Sequence, residues 1–405
     1  MLDPARRQIV FINAAHSLTH YSLLILPTAA LVMAVRGGPF GPDYGPILAL
    51  ATGMFLFYGA GSLPQGFLAQ RFGRKTLMSV FFFGVGLSLA AAAFTDSRLA
   101  LAVALGAAGM FASIYHPIGT AMLVDAAGDT PGRSIGVNGV FGNLGVACAP
   151  VVSALLAETV GWRWAFLVPG VAAMALGLAW LRVPVIEGTA HRRARPFPVI
   201  PHALVRRAVI VLLLIAVVSG LVFNSFVMLL PKLMQDRLAT NPGLLPLVGA
   251  AAFAVTVCGA ATQFTVGRMI DRTTLKRVFL PLGVVLAPGL AALAVAQSWL
   301  VLPAAALVAA AIFGQVTVNE TMTARYISPA LRAQMYSVRF FVGFLGAAAA
   351  PPLVGLMQQR TGSLVQVIGL LAAFALITMG CALFFPDRKE ELRPELWAAA
   401  AASGD

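Results

Sequence analysis

Long apolar runs recur along the whole chain and are separated by short polar or basic segments. Each run is long enough to cross a bilayer as a helix, which takes about 20 residues, whereas a barrel strand needs about half that length. The runs lie at residues 9–35, 46–69, 76–95, 98–123, 134–158, 163–182, 208–233, 243–269, 277–297, 299–323, 333–358 and 363–385. The pattern therefore predicts an all-α membrane protein with twelve transmembrane helices.

Composition supports lipid as the main solvent of the chain. Of its 405 residues, 59% are hydrophobic and only 11% are charged, whereas a soluble domain carries about 25% charged residues. The net charge of +13 does not indicate nucleic-acid binding, because the basic residues are spread over the gaps between apolar runs and form no single basic helix face. The lipid bilayer is the expected partner, and nucleic acid is not.

The distribution of Lys and Arg predicts the orientation. Most basic residues outside the apolar runs lie in alternate gaps, on the same side as the N-terminus. By the positive-inside rule, both termini are expected in the cytoplasm of a bacterial inner-membrane protein. The basic, proline-containing stretch 184–207 is too polar to span, so we expect it to be a cytoplasmic linker between an N-terminal half, 1–183, and a C-terminal half with its tail, 208–405.

The two halves share an internal repeat. One constant shift along the chain aligns six identical residue pairs: Gly66 with Gly267, Arg71 with Arg272, Lys75 with Lys276, Gly142 with Gly343, Gly145 with Gly346, and Pro150 with Pro351. These pairs occupy the same places in each six-span unit. The repeat predicts two pseudo-symmetric six-helix bundles with a site between them near the middle of the bilayer.

The loop after the second run carries a known signature. Residues 66–75, Gly-Phe-Leu-Ala-Gln-Arg-Phe-Gly-Arg-Lys, and residues 267–277 of the second half resemble the loop between helices two and three of the major facilitator superfamily. In that family the loop is a cytoplasmic gating latch. The resemblance therefore implies gating roles for Gly66, Gln70, Arg71, Gly73, Arg74, Lys75, Gly267, Asp271 and Arg272.

The loop also has a simpler interpretation, in which its charges serve only to set topology. Gln70 stands where the family usually has an acidic residue, while Asp271 keeps the acid in the second half. The resemblance thus implies a weaker latch in the first half. Glycine in such a loop allows a tight turn and a close approach of helices.

Two further patterns bear on transport direction. Helix five contains Gly139, Gly142, Gly145 and Pro150, which is similar to the antiporter signature of drug-exporting family members and implies a gating role for Gly145 and Pro150. Helix eleven has much the same pattern around Pro351, so symmetric helix packing is an alternative explanation. The arginine that often marks proton-coupled exporters in helix four is missing beyond the boundary residue Arg98.

Two short stretches resemble one branch of the family. Residues 15–21 in helix one and 115–119 in helix four are similar to the fosmidomycin-resistance-like transporters.

Polar residues within the apolar runs are the candidates for a binding site, because such residues are costly in lipid and normally face a cavity or a partner. Asn13, His16 and His20 share one face of helix one. In this family helices one, four, seven and ten line the cavity. The full set of expected substrate- or proton-binding residues is His16, His20, Tyr115, His116, Asn224, Asn319, Glu320 and Arg339.

His20, His116 and Glu320 are the main candidates to hold a proton or the substrate, since histidine exchanges protons near neutral pH. Arg339 is expected to pair with Glu320 or to meet an anionic substrate. The alternative for Glu320 and Arg339 is a structural pair near the cytoplasmic end. The alternative for His16 is a hydrogen-bonded packing residue.

The sequence thus predicts a secondary active transporter that moves a small organic solute by alternating access, with proton-coupled efflux as the leading interpretation. An importer of a small anionic metabolite and a non-transporting receptor are the alternatives. A Walker-type loop and a His-Glu-x-x-His pair are both missing from the sequence, so an ATP-driven pump, an enzyme, a cofactor and a metal site are not predicted. A monomer is expected.

Overall fold

A computed structural model describes residues 3–36, 38–127, 131–186, 200, 202–238, 244–270 and 272–385. Asp271, most of the predicted linker and the tail beyond residue 385 lie outside these described residues. The described part of the chain contains helices joined by short connections.

Twelve helical segments are long and apolar enough to cross a membrane. In chain order, spans 1 to 12 are Pro4–Arg36, Tyr44–Gly61, Arg74–Ala93, Arg98–Ala126, Ser134–Thr159, Trp162–Trp180, His202–Leu238, Leu245–Ile270, Leu275–Val295, Ser298–Thr323, Gln334–Thr361 and Val365–Phe384. The helices that carry spans 5, 10 and 11 run over Pro131–Thr159, Val301–Tyr326 and Pro329–Thr361. The prediction of an all-α membrane protein with twelve transmembrane helices is confirmed.

Two boundaries differ from the hydropathy pattern. The second apolar run was expected to reach residue 69, but span 2 ends at Gly61 and a separate helix, Gln65–Phe72, follows. Pro64 lies between them, and proline cannot donate a backbone N–H to a continuing helix. Span 7 begins at His202, so the last residues of the predicted linker belong to this helix.

Two spans are interrupted close to the centre of the first half. Span 1 consists of helices Pro4–Leu23 and Ile25–Arg36, and Pro27 just after the break cannot donate to the carbonyl four residues earlier. Span 4 contains a π-helical turn over Tyr115–Gly119, which includes Pro117. Such turns are common at functional sites, and this one carries two of the predicted site residues.

Equivalent contacts recur in the two halves. The Lys75 ammonium donates to the carbonyl oxygen of Leu181 at 3.1 Å, at the end of span 6. The Lys276 ammonium donates to the carbonyl oxygen of Leu383 at 2.8 Å, at the end of span 12. Each lysine thus neutralises the carbonyl-rich end of the last helix in its own half, as the repeat predicts.

The two halves meet at the end of the bundle remote from the start of span 1. The Tyr44 hydroxyl donates to the carbonyl of Pro27 in the first half at 3.2 Å and is 3.4 Å from the carbonyl of Met228 in the second half. Gly45 and Gly355 lie backbone to backbone, with no room for a Cβ atom on either. This end is therefore closed, and the space between the halves lies toward the opposite end.

Candidate functional site

A central cavity of about 690 Å³ lies between the two halves. Its walls come from spans 1, 4 and 5 of the first half and from spans 7 to 12 of the second half. The expected lining by spans 1, 4, 7 and 10 is therefore extended by spans that the resemblance in the sequence did not suggest. Of the eight predicted substrate- or proton-binding residues, seven line this cavity: His16, His20, His116, Asn224, Asn319, Glu320 and Arg339.

Three histidines form a cluster at the first-half wall. His16 Nε2 and His20 Nε2, one helical turn apart on span 1, are 3.2 Å from each other. The His116 ring, on the π-helical turn of span 4, lies 5.2 Å from the His16 ring and 5.5 Å from the His20 ring between centroids. The shared face of span 1 was predicted from spacing, whereas the approach of His116 depends on how span 4 packs.

A buried chain of hydrogen bonds through span 5 supports the histidine cluster. His16 Nδ1 lies 2.7 Å from the backbone oxygen of Asn138 on span 5. Because a carbonyl oxygen can only accept a hydrogen bond, we assign the proton of the His16 ring to Nδ1. Nε2 is then unprotonated and carries a lone pair. The Tyr115 hydroxyl donates to Asn138 Oδ1 at 3.0 Å, and Asn138 Nδ2 donates to Asn13 Oδ1 at 2.8 Å.

Tyr115 therefore supports the site rather than lining it. Its ring is fully buried and stacks on the His16 ring at 4.8 Å. Asn138 was missed as a site residue by sequence reasoning, although a polar side chain inside an apolar run was available as a signal.

An aromatic group from the second half covers His116. The Phe340 ring of span 11 lies 5.0 Å from the His116 ring, and Tyr58 of span 2 packs against Phe344 at 4.5 Å. Span 11 thus reaches across the interface between the halves and contacts the histidine cluster.

The second-half wall carries an ion pair. The Arg339 guanidinium of span 11 donates to the Glu320 carboxylate of span 10. The Glu320 side chain is 49% exposed and the Arg339 side chain only 15%, while Arg339 also lies 5.3 Å from the Tyr336 ring centroid. The predicted pairing is thus observed, and both partners line the cavity.

Span 10, which carries Glu320, also carries two polar side chains with an unpaired atom. Gln315 Nε2 and Asn319 Oδ1 on span 10 are buried and have no hydrogen-bond partner among the described residues, and both side chains line the cavity. A buried unpaired polar group costs stability unless a ligand or water satisfies it. Asn224 instead donates to the carbonyl of Gly220 in its own helix at 2.8 Å.

A polar contact also joins the two halves at the cavity. Asn143 Nδ2 of span 5 donates to Gln263 Oε1 of span 8 at 2.6 Å, and both residues line the cavity. Neither residue was singled out from the sequence, because only the packing of span 5 on span 8 brings them together.

The loop residues that the sequence predicts for gating in the first half lie on the connection between spans 2 and 3 and at the start of span 3. Gly73 adopts φ +80°, a backbone conformation that favours glycine, and makes the turn into span 3. Arg74 Nη1 pairs with Asp125 Oδ2 of span 4 at 2.5 Å. Gln70 and Arg71 are exposed.

The expected close helix approach at Gly66 is wrong for this structure. A Cβ atom there would meet nothing within 4 Å, and at Gly267 it would only touch Thr317 at 4.0 Å. Both glycines lie on helix faces that no neighbouring helix covers closely. Arg272 is exposed, and Asp271 lies outside the described residues.

Gly145 and Pro150 are packing positions in this structure. A Cβ atom on Gly145 would collide with the backbone carbonyl of Ser17 in span 1. A Cβ atom on Gly249 of span 8 would lie 2.9 Å from the carbonyl oxygen of Pro150, so Pro150 lies at the interface between the halves.

Comparison with known families identifies the fold. A sequence profile of the Major Facilitator Superfamily matches residues 24–259 and 238–403. The chain belongs to the major facilitator superfamily. It is therefore a secondary transporter and not an enzyme.

Solved structures of other superfamily members have the same fold. A D-xylose–proton symporter matches with a TM-score of 0.77 at 12% identity, covering 94% of this chain and 98% of that one. A bacterial homolog of the human lysosomal transporter Spinster, inward-facing and occupied, matches with a TM-score of 0.72 at 13% identity over 100% and 98% of the two chains.

The inward-open xylose transporter from E. coli also matches with a TM-score of 0.72, at 13% identity over 96% and 99%. At these identities the likeness establishes the fold alone. Curated protein sequences give no significant match.

Proposed function

We propose that this transporter exports a small organic solute from the cytoplasm in exchange for protons. The observation that carries the proposal is the Glu320–Arg339 ion pair in the wall of the cavity between the halves. The protein would lie in a bacterial inner membrane with both termini in the cytoplasm, in accord with the distribution of its basic residues.

The lining favours a solute with an apolar body and a few polar groups. Aliphatic and aromatic residues such as Leu23, Val222 and Phe223 make up much of the wall. Gln315 Nε2 and Asn319 Oδ1 offer one unpaired donor and one unpaired acceptor. A pocket of this kind holds a ligand by apolar contact and orients it with few polar groups.

The relative exposure of the ion pair supports exchange against protons. Glu320 is the more exposed partner and Arg339 the more buried one, so a solute in the cavity reaches the carboxylate first. A proton and a cationic or hydrogen-bond-donating group on the solute would compete for the same carboxylate oxygens. Competition for one group makes the two ligands bind alternately, which is the requirement for antiport.

The histidine cluster would form the opposite side of the binding site. His20 and His116 are partly exposed and line the cavity, so both can offer hydrogen bonds to a solute. His16 and Tyr115 would hold these rings in place through Asn138. Asn224 would add a polar group from span 7.

Alternating access follows from the symmetric construction of the fold. The contact of Gly45 with Gly355 closes one end, and the cavity extends toward the other end, past Ile135 and Tyr336. We infer that the two halves rock about this cavity. The basic loop with Arg71 and Arg74, and its counterpart with Arg272, would close the cytoplasmic end in the opposite state.

Import of an anionic solute is the second candidate, and the positive charge of Arg339 supports it. If Glu320 takes up a proton, Arg339 loses its partner and can bind an anionic group instead. Proton and anion would then bind together, which is the requirement for symport. A non-transporting receptor would bind the solute without moving it.

Growth inhibition tests the proposal. A bacterial host without its main efflux pumps would express the wild type, Glu320→Gln or Glu158→Gln and face a panel of toxic compounds that includes fosmidomycin. Glu158 is a matched control because its carboxyl group lies outside the cavity lining. We expect protection by the wild type and by Glu158→Gln, and its loss in Glu320→Gln at equal expression.

The other outcomes are also informative. Sensitisation that Glu320→Gln abolishes would contradict export and support the importer. A compound that binds the purified protein but produces neither protection nor sensitisation, and no flux in liposomes, would support the receptor.

A further inference from the structure

Three histidine imidazoles that converge on one point of the cavity wall are an arrangement that transition metals bind. One ring nitrogen from each of His16, His20 and His116 lies within 4.8 Å of the others. We propose that these three histidines bind a divalent transition-metal ion of the zinc class, with its fourth coordination position facing the central cavity.

The spacing of the two span 1 nitrogens matches a shared ion. Two nitrogens that each bind a tetrahedral zinc ion at about 2.1 Å lie about 3.4 Å apart, and His16 Nε2 and His20 Nε2 are 3.2 Å apart. The ion would take the place of the contact between these two nitrogens, and each ring would then carry its proton on Nδ1. The His116 ring would move closer to supply the third ligand, because the three ligand nitrogens lie within 4.8 Å of one another, whereas a shared tetrahedral ion needs about 3.4 Å.

The surroundings of His16 are those of a metal ligand. Its Nδ1–H is held by the backbone oxygen of Asn138 at 2.7 Å, and a metal-binding histidine almost always donates its other N–H to such an acceptor. Gly142 lies over the same ring, where a Cβ atom would come within 2.6 Å of Nε2. The glycine therefore keeps the space beside this nitrogen free.

The ligand set selects the class of ion. Three imidazoles without a carboxylate suit zinc, copper, nickel or cobalt better than calcium or magnesium. Because all three histidines line the cavity, water or an anionic group of a bound molecule can reach the fourth position. An anion there would offset the charge of the ion in a poorly hydrated place.

The alternative is that the cluster only packs span 1 against span 4 through hydrogen bonds. The two accounts differ in whether the protein binds a stoichiometric amount of metal. Metal binding is an equilibrium property that needs no transport, so its failure would leave the proposed export untouched, and the reverse also holds.

Cobalt provides the test, because tetrahedral Co²⁺ with nitrogen ligands absorbs visible light and Zn²⁺ displaces it. The full chain would be purified with an affinity tag that contains no histidine and titrated with Co²⁺. We expect one equivalent to produce the tetrahedral spectrum, and one equivalent of Zn²⁺ to abolish it.

Variants localise the site. His20→Gln and His116→Gln keep a polar side chain and should weaken Co²⁺ binding at least about a hundredfold, whereas His202→Ala should bind as the wild type, since His202 is exposed and outside the cluster. The proposal is overturned if the wild type shows no saturable tetrahedral spectrum. Equal binding by the wild type and both Gln variants would overturn it as well.

Discussion

Gly145 of span 5 lies directly against the backbone carbonyl of Ser17 in span 1. The second half repeats this relationship between Gly346 of span 11 and the carbonyl of Val217 in span 7. The glycine-rich pattern of helix five, which is similar to an antiporter signature, therefore allows close packing against span 1. The equivalent pattern of helix eleven allows close packing against span 7. Because helix eleven has the same glycine contact, the pattern reflects helix packing and not the direction of transport.

Filling the space beside Gly145 should destabilise the protein. Gly145→Val places side-chain atoms against the Ser17 carbonyl, and overpacking of this kind costs about 1–3 kcal/mol. We expect a lower melting temperature of the detergent-solubilised protein by size-exclusion thermal assay. Gly139→Ala on the same helix is the matched control, since a Cβ atom there meets nothing within 4 Å; an equal loss in both variants would contradict this account.

The contact between Gly45 and Gly355 predicts control over which end of the bundle opens. Gly45→Leu cannot pack against the Gly355 backbone, so the closed end should open more often. A cysteine placed at Ser219 in the cavity, in a chain without its native cysteines, reports this opening through membrane-impermeant maleimide. We expect faster labelling from the side remote from the N-terminus.

The control for this experiment is Gly369→Leu, because Gly369 is exposed and has open space beside it. Labelling at the wild-type rate in Gly45→Leu would show that the glycine contact does not hold this end closed.

The ion pair between Arg74 and Asp125 should contribute little to stability. Both side chains are partly exposed, 40% for Arg74 and 15% for Asp125, and such pairs contribute about 1 kcal/mol or less. Asp125→Asn should therefore lower the melting temperature only slightly. If the pair helps to position the loop for gating, transport should fall more than stability, and the exchange of both charges should restore it.

A large loss of folded protein in Asp125→Asn would contradict the weak contribution. Unchanged transport in Asp125→Asn would contradict a role of this pair in gating.

Much of this architecture could be predicted from hydropathy, because a lipid-facing helix must be apolar along its whole length. The ends of spans 3, 6 and 12 fall within a few residues of the predicted runs. The second run was overextended, since Pro64 interrupts a stretch that remains apolar on both sides. Hydropathy measures solvent preference and does not register a break in the backbone.

The site was only partly predictable. His16 and His20 share a helix face by spacing alone, and their contact at 3.2 Å follows from it. The role of Asn138 depends on the packing of span 5 against span 1, and the position of His116 depends on the π-helical turn in span 4. These contacts depend on how the helices pack in three dimensions, and the spacing of residues along the sequence does not determine that packing.

The most direct test of the central claim is proton movement driven by solute in liposomes that contain the purified protein. A compound identified by the growth panel is added across the membrane while a pH-sensitive dye reports protons inside. We expect the wild type and Glu158→Gln to move protons opposite to the solute, and Glu320→Gln to move none, although it still binds the compound. Wild-type proton movement in Glu320→Gln would contradict the claim that the Glu320 carboxylate couples protons to transport.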